Sequence, residues 1–177
     1  MALDYTVSKL IGTAPGTWRT SKSIGGFITE TVLDAESVKG MPEGWARHVI
    51  FLKPRTFMNF SGGPVVRAIR ELGVAPSDII VLHDDLQRKL AAVSVKTAGS
   101  ASGHNGLKSM IASLKSDDFQ RIRIGIDRPA SKDPGDVGDY VLQRFRDAEI
   151  EKLKSDGYPT SHKALLQLIK ASKGMAS

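Results

Sequence analysis

The chain has 177 residues, 41% hydrophobic and 25% charged, a balance that suits one folded domain and excludes a disordered or low-complexity chain. Zero cysteines exclude a disulfide framework and any thiolate metal site, and no run of about twenty apolar residues is present to span a bilayer. The formal charge of +6 suits an anionic partner, nucleic acid first, although charge alone moves that expectation only modestly.

Taken in chain order, apolar spacing predicts a helix over Ala2–Ile11, a loop over Gly12–Gly16 and a strand near Phe27–Val32. Lys39–Gly44 reads as a loop, Val49–Leu52 as a strand, Gly63–Leu72 as a helix and Ile79–Leu82 as a buried strand. A strand near Val93–Lys96 and a helix over Gly106–Leu114 follow. The next strand, Arg121–Ile126, alternates Arg121 and Arg123 with three isoleucines, so the arginines share one face and the isoleucines the other. Arg121 is expected on a solvated strand face. Arg128–Gly138 is long and polar enough for a mobile loop, before helices over Ala148–Lys154 and Ser161–Lys173. Trp18 and Trp45 read as core or loop-packing aromatics. The alternation predicts an α/β fold, a single domain over residues 1–177 with a mixed β-sheet flanked by helices.

Three segments that follow strands carry Asn, Asp or His: Lys53–Gly62 with Asn59, His83-Asp84-Asp85, and the small-residue loop Ser100–Asn105 with His104 and Asn105. In open α/β sheets ligands bind at the C-terminal strand ends, so the three suggest one convergent polar site. His104 and Asn105 stand at a helix N-terminus, suited either to gripping a polar or anionic ligand or, with Asn105 as N-cap, merely to starting the helix. His83 reads as structural, with Asp84 pointing to the other face of the strand. There is no P-loop, no Gly-x-Ser-x-Gly elbow and no motif with metal-ligand spacing.

Together Lys53–Gly62, Val81–Leu86, Ser102–Lys108 and Phe119–Ile126 closely resemble, in order and spacing, the bacterial-type peptidyl-tRNA hydrolases ("KP.TFMN.SG", "V.HD.LD", "GGHNGL", "F.R.RIGI"), with Val137–Leu142 a weaker match. The resemblance runs from about Ala2 to Lys173. It implies that family's fold and the hydrolysis of the ester joining a peptide to the 3′ end of tRNA, with no cofactor or metal. The implied partner is peptidyl-tRNA, with no membrane, for a monomer in the cytoplasm, or in mitochondria if the true N-terminus lies upstream.

By the same resemblance, Asp84 matches the aspartate that orients the catalytic histidine, and Asn59 and Asn105 match amides that hold substrate and water. His104 matches a residue at the tRNA-end side of the cleft, and Lys96 and Arg123 match a clamp for a tRNA phosphate. The family's leading strand, Gly-Asn-Pro-Gly loop and catalytic histidine fall before the point where Met1 aligns. None of His48, His83, His104 or His162 matches that histidine, so Asp84 is expected to stand without its imidazole. A glycine-rich stretch with a second histidine is replaced by Ala98–Ser102, and Gln87 stands where the family carries an acid. An N-terminally shortened family member is therefore expected, impaired in hydrolysis, from a sequence that begins downstream of the natural start. The alternative is a non-catalytic tRNA- or RNA-binding module.

Overall fold

The computed structural model describes residues 1–12, 17–131 and 133–172. In chain order these form α1 (Ala2–Leu10), β1 (Arg19–Ser21), β2 (Gly26–Asp34), β3 (Ala46–Pro54), a 3₁₀ turn at Met58–Phe60 and α2 (Gly62–Leu72). A 3₁₀ turn at Pro76–Asp78, β4 (Ile80–Asp85), β5 (Val93–Thr97), α3 (Asn105–Leu114) and β6 (Gln120–Gly125) follow. The chain continues through α4 (Pro134–Leu142), α5 (Asp147–Lys152), a π turn at Leu153–Gly157 and α6 (Tyr158–Ala171). The expected loop at Gly12–Gly16 and the end of the last predicted helix at Lys173 fall largely outside the described residues.

The α/β class is as expected, but the strands divide into two three-stranded sheets, ordered β1-β2-β3 and β4-β6-β5. The first is antiparallel throughout, with Ile28 opposite Leu52 and Thr29 opposite Phe51. The second is the mixed sheet: β4 runs parallel to β6 and β5 antiparallel to it, so Asp84 lies beside Ile124 and Lys96 beside Arg121.

Period-two alternation divides each sheet's side chains between two faces. Ile80, Leu82, Ile122 and Ile124 of the mixed sheet join Leu33 and Phe51 of the antiparallel sheet in one core, closed by Val7 of α1 and by Tyr158, Leu165 and Ile169 of α6. On the opposite faces, Ile28, Ile50 and Leu52 pack with Ala68 and Leu72 of α2, while Val81 and Phe119 pack with Leu107 and Met110 of α3. Both sheets are therefore held between helices. Trp18 and Trp45 are partly buried against the main core, as expected of packing aromatics.

Two expectations are corrected. Residues 134–138 of the expected loop belong to α4, because Asp133 caps the helix through Gly135 N–H and Pro134 supplies a preset first turn. Tyr140 then ties α4 to the end of β6, its hydroxyl donating to the Ile126 carbonyl at 2.6 Å. Arg121 lies on no solvated face: it is 1% exposed, beneath α3.

Candidate active site

The mixed sheet delivers Asp84 at the C-terminal end of β4, and the loop after β5 delivers His104 and Asn105 to the start of α3. His104, rather than Asn105, is the N-cap: its Nδ1 accepts the Leu107 N–H at 3.2 Å. A nitrogen that accepts carries no proton, so the proton sits on Nε2, which donates to Asp84 Oδ1 at 3.2 Å. Both ring nitrogens of His104 are thus engaged. Asp84 is met by an imidazole other than the one the family resemblance implies, because the cap turns the His104 ring back toward the strand end.

Burial pushes the Asp84 carboxyl up, but the hydrogen bond from His104 and its attraction outweigh this and hold it below the ordinary aspartate value. His83 stands behind the pair, its ring edge-on to that of His104 with centroids 4.9 Å apart. Its Nδ1–H donates to the Asp84 carbonyl at 2.7 Å, and its Nε2 is buried without a partner. Burial pushes His83 down to about 4, so it is neutral at pH 7. The strand end thus brings His83 and Asp84 to the same imidazole, although strand alternation assigns them to opposite faces. Nothing in the local sequence marks His83 for that contact.

Asn59 arrives from the antiparallel sheet. After Pro54 ends β3, the chain turns through Met58–Phe60 into α2. That turn rests on the start of α3: a side chain at Gly106 would collide with Met58, and Gly62 N–H donates to Ser109 Oγ at 3.1 Å. Asn59 and Asn105 are both exposed, and near Asn59 in the chain Phe57 and Phe60 are 83% and 61% exposed. The three strand-end segments therefore do converge.

Lys96 and Arg123 lie on the face of the mixed sheet that also carries Arg121. Arg123 is engaged rather than free: its Nε and one Nη donate to Asp85 Oδ2 at 2.7 and 2.6 Å. Arg88 approaches the same oxygen at 3.5 Å. Sequence alone did not single out Asp85, whose side chain is only 9% exposed. No group of three or more His, Cys, Asp or Glu suited to a metal ion occurs among the described residues, and no described helix is long and apolar enough to cross a membrane.

The α/β domain thus presents an imidazole–carboxylate pair and exposed amides at its strand ends. The family model for peptidyl-tRNA hydrolase matches residues 16–176, and the chain belongs to that family. Helix α1 lies before the stretch that the family model matches. The peptidyl-tRNA hydrolase of Symbiobacterium thermophilum is 50% identical over 101 residues, 56% of this chain and 52% of that protein. That of a Geobacter species is 43% identical over 125 residues, 71% of this chain and 64% of that protein. The chain thus spans between half and two thirds of these relatives. Two crystal structures of peptidyl-tRNA hydrolase from Acinetobacter baumannii superpose with TM-scores of 0.73 and 0.70 at 25% and 26% identity. They cover 96% and 97% of this chain, and the chain covers 74% and 84% of theirs.

Proposed function

We propose that this chain binds the 3′ end of peptidyl-tRNA at the Asp84–His104 site and is built for hydrolysis of its ester. The carrying observation is the convergence of Asp84, His104 and Asn105 with the Asn59 turn on one rim. The amides of Asn59 and Asn105 hold the substrate and a water, while exposed Phe57 and Phe60 offer apolar surface to the peptide. Lys96 and Arg123 grip a tRNA phosphate. The domain works as a cytoplasmic monomer without a cofactor.

Ester hydrolysis needs a base for the attacking water. In this arrangement His104 cannot serve, because Nδ1 already accepts from Leu107 and Nε2 carries the proton given to Asp84. Hydrolysis by these 177 residues alone is therefore impaired, about 10²- to 10⁴-fold for a missing general base. The test measures binding and hydrolysis of an N-acetyl-aminoacyl-tRNA by this chain, beside the same chain preceded by a relative's leading segment. Binding by both with fast hydrolysis only in the longer protein is expected. Equal rates would refute the impairment, binding with no hydrolysis in either would favour the non-catalytic RNA-binding module, and no binding would refute the site.

A further inference from the structure

Arg121 carries a full charge, yet it is as well hidden as the core isoleucines, 1% exposed on the α3 side of β6. Its guanidinium lies over the ring of Phe119, 4.7 Å from the centroid, and Phe119 is itself 1% exposed. One Nη donates to the Ser100 carbonyl at 2.7 Å and the other to the Gly99 carbonyl. Both acceptors belong to the loop that ends at His104. That loop is unusual in its backbone: Ala98, Gly99, Ser102 and Gly103 all have φ between 47° and 96°. Left-handed conformations at Ala98 and Ser102 persist only where surroundings impose them. Apart from Ala98 N–H to the Phe119 carbonyl and His104 N–H to the Ala101 carbonyl, the loop has little main-chain support of its own.

A buried charge is a poor device for stability, since an apolar residue of similar size often does as well. A planar fork aimed at two adjacent carbonyls does something an apolar residue cannot: it fixes direction. We propose that Arg121 is a positioning residue, whose fork sets the 98–104 loop so that His104 meets Asp84 and Asn105 is presented to the ligand. The ligand part of this role rests on the function proposed above; the loop part does not.

Arg121→Lys keeps the charge without the fork, and Arg121→Met keeps the length without the charge. Both are expected to unfold cooperatively, with amides of residues 98–107 exchanging at least about tenfold faster while the Ile122 and Ile124 amides stay protected. Binding of an N-acetyl-aminoacyl-tRNA should fall about tenfold in Arg121→Lys, and Asn105→Ala should add little to that loss because both act through one element. Unchanged loop exchange in a folded variant would overturn the proposal, as would a full additive loss from Asn105→Ala. Failure of both variants to fold would assign Arg121 to the core instead. If the unaltered chain bound no acylated tRNA, the functional reading would fall, and loop exchange would still decide the positioning role.

Discussion

Replacing Asp85 by Asn probes whether Arg123 is a phosphate contact held in check by its own partner. The Asp85 carboxylate takes two charged hydrogen bonds from Arg123 at 2.6 and 2.7 Å, and its other oxygen accepts the Gln87 N–H at 2.8 Å. A phosphate that approaches Arg123 therefore meets a neutralised cation backed by a negative charge. For a carboxylate about 6 Å from the phosphate, the repulsion is about 0.7 kcal/mol in water and about 3 kcal/mol at an effective dielectric of about 20. Since Arg123 retains some exposure, the lower half of that range applies, and Asp85→Asn should tighten RNA binding about three- to tenfold at low salt. With the competing charge gone, the slope of log affinity against log salt should steepen by up to about 0.7–0.9. The amide still accepts one hydrogen bond, so the stability cost should stay near 1–3 kcal/mol. Affinity and slope are read by fluorescence anisotropy with a labelled tRNA acceptor stem across a salt series. Arg123→Ala should do the reverse, weakening binding and flattening the slope. Weaker or unchanged binding in a folded Asp85→Asn protein would refute the reasoning. So would an Asp85→Asn/Arg123→Ala double variant that matches the single Asp85→Asn, since the gain would then not pass through Arg123.

His83 predicts a pH dependence of stability. Its folded pKa, about 4, lies below the ordinary 6.5, so the unfolded chain binds the proton first. Its contribution is complete above about pH 7 and is lost as pH falls, by about 2 kcal/mol between pH 7.5 and pH 5. Urea unfolding at the two pH values measures it, and His83→Asn should remove most of the difference. His104→Ala should cost about 1–2 kcal/mol by stripping the N-cap of α3, whereas His104→Asn should restore the cap and recover most of the melting temperature. Gly62→Ala should destabilise α2 against α3, because the new methyl meets the Ser109 carbonyl and Ser113 Oγ. Its signature is faster amide exchange through residues 58–66 together with a lowered melting temperature.

The layers were legible because β3 and β4 carry short continuous apolar runs, β6 repeats its isoleucines with period two and the main helices repeat their apolar residues with a period near 3.6. Ile122 and Ile124 share one buried face for that reason. What alternation cannot show is the pairing of strands distant in sequence, so the split into two sheets emerged only from the register of β3 with β2 and of β4 with β6. Short β1 gave no periodic signal in Arg-Thr-Ser. Among the candidate site residues, Asp84, His104, Asn105 and Asn59 were singled out from their places at or after strand ends. The pairing of Asp84 with His104 was not, because it depends on a side chain folding back to cap its own helix. Arg121 misled for a related reason. Its spacing matches that of a surface charge, and only the two carbonyls it meets explain why it can be buried.

Arg121 and Arg123 stand two residues apart on one face of one strand, yet the structure treats them as opposites. Arg121 points beneath α3, where its partners are main-chain carbonyls and an aromatic ring, so its charge is spent within the fold. Arg123 lies nearer the C-terminal end of β6, beside His83 of β4, where its partner is the Asp85 carboxylate. Carbonyls are neutral and cannot be exchanged for solvent without exposing the loop, whereas a carboxylate can find water and the Arg88 guanidinium 3.5 Å away. Under the two proposals made above, the same residue type supplies, two residues apart, a fixed support for the His104–Asn105 loop and a cation for the ligand. That division follows from depth along the strand, and it explains why the polar site gathers at the C-terminal ends of β4 and β6, where buried order gives way to surface charge.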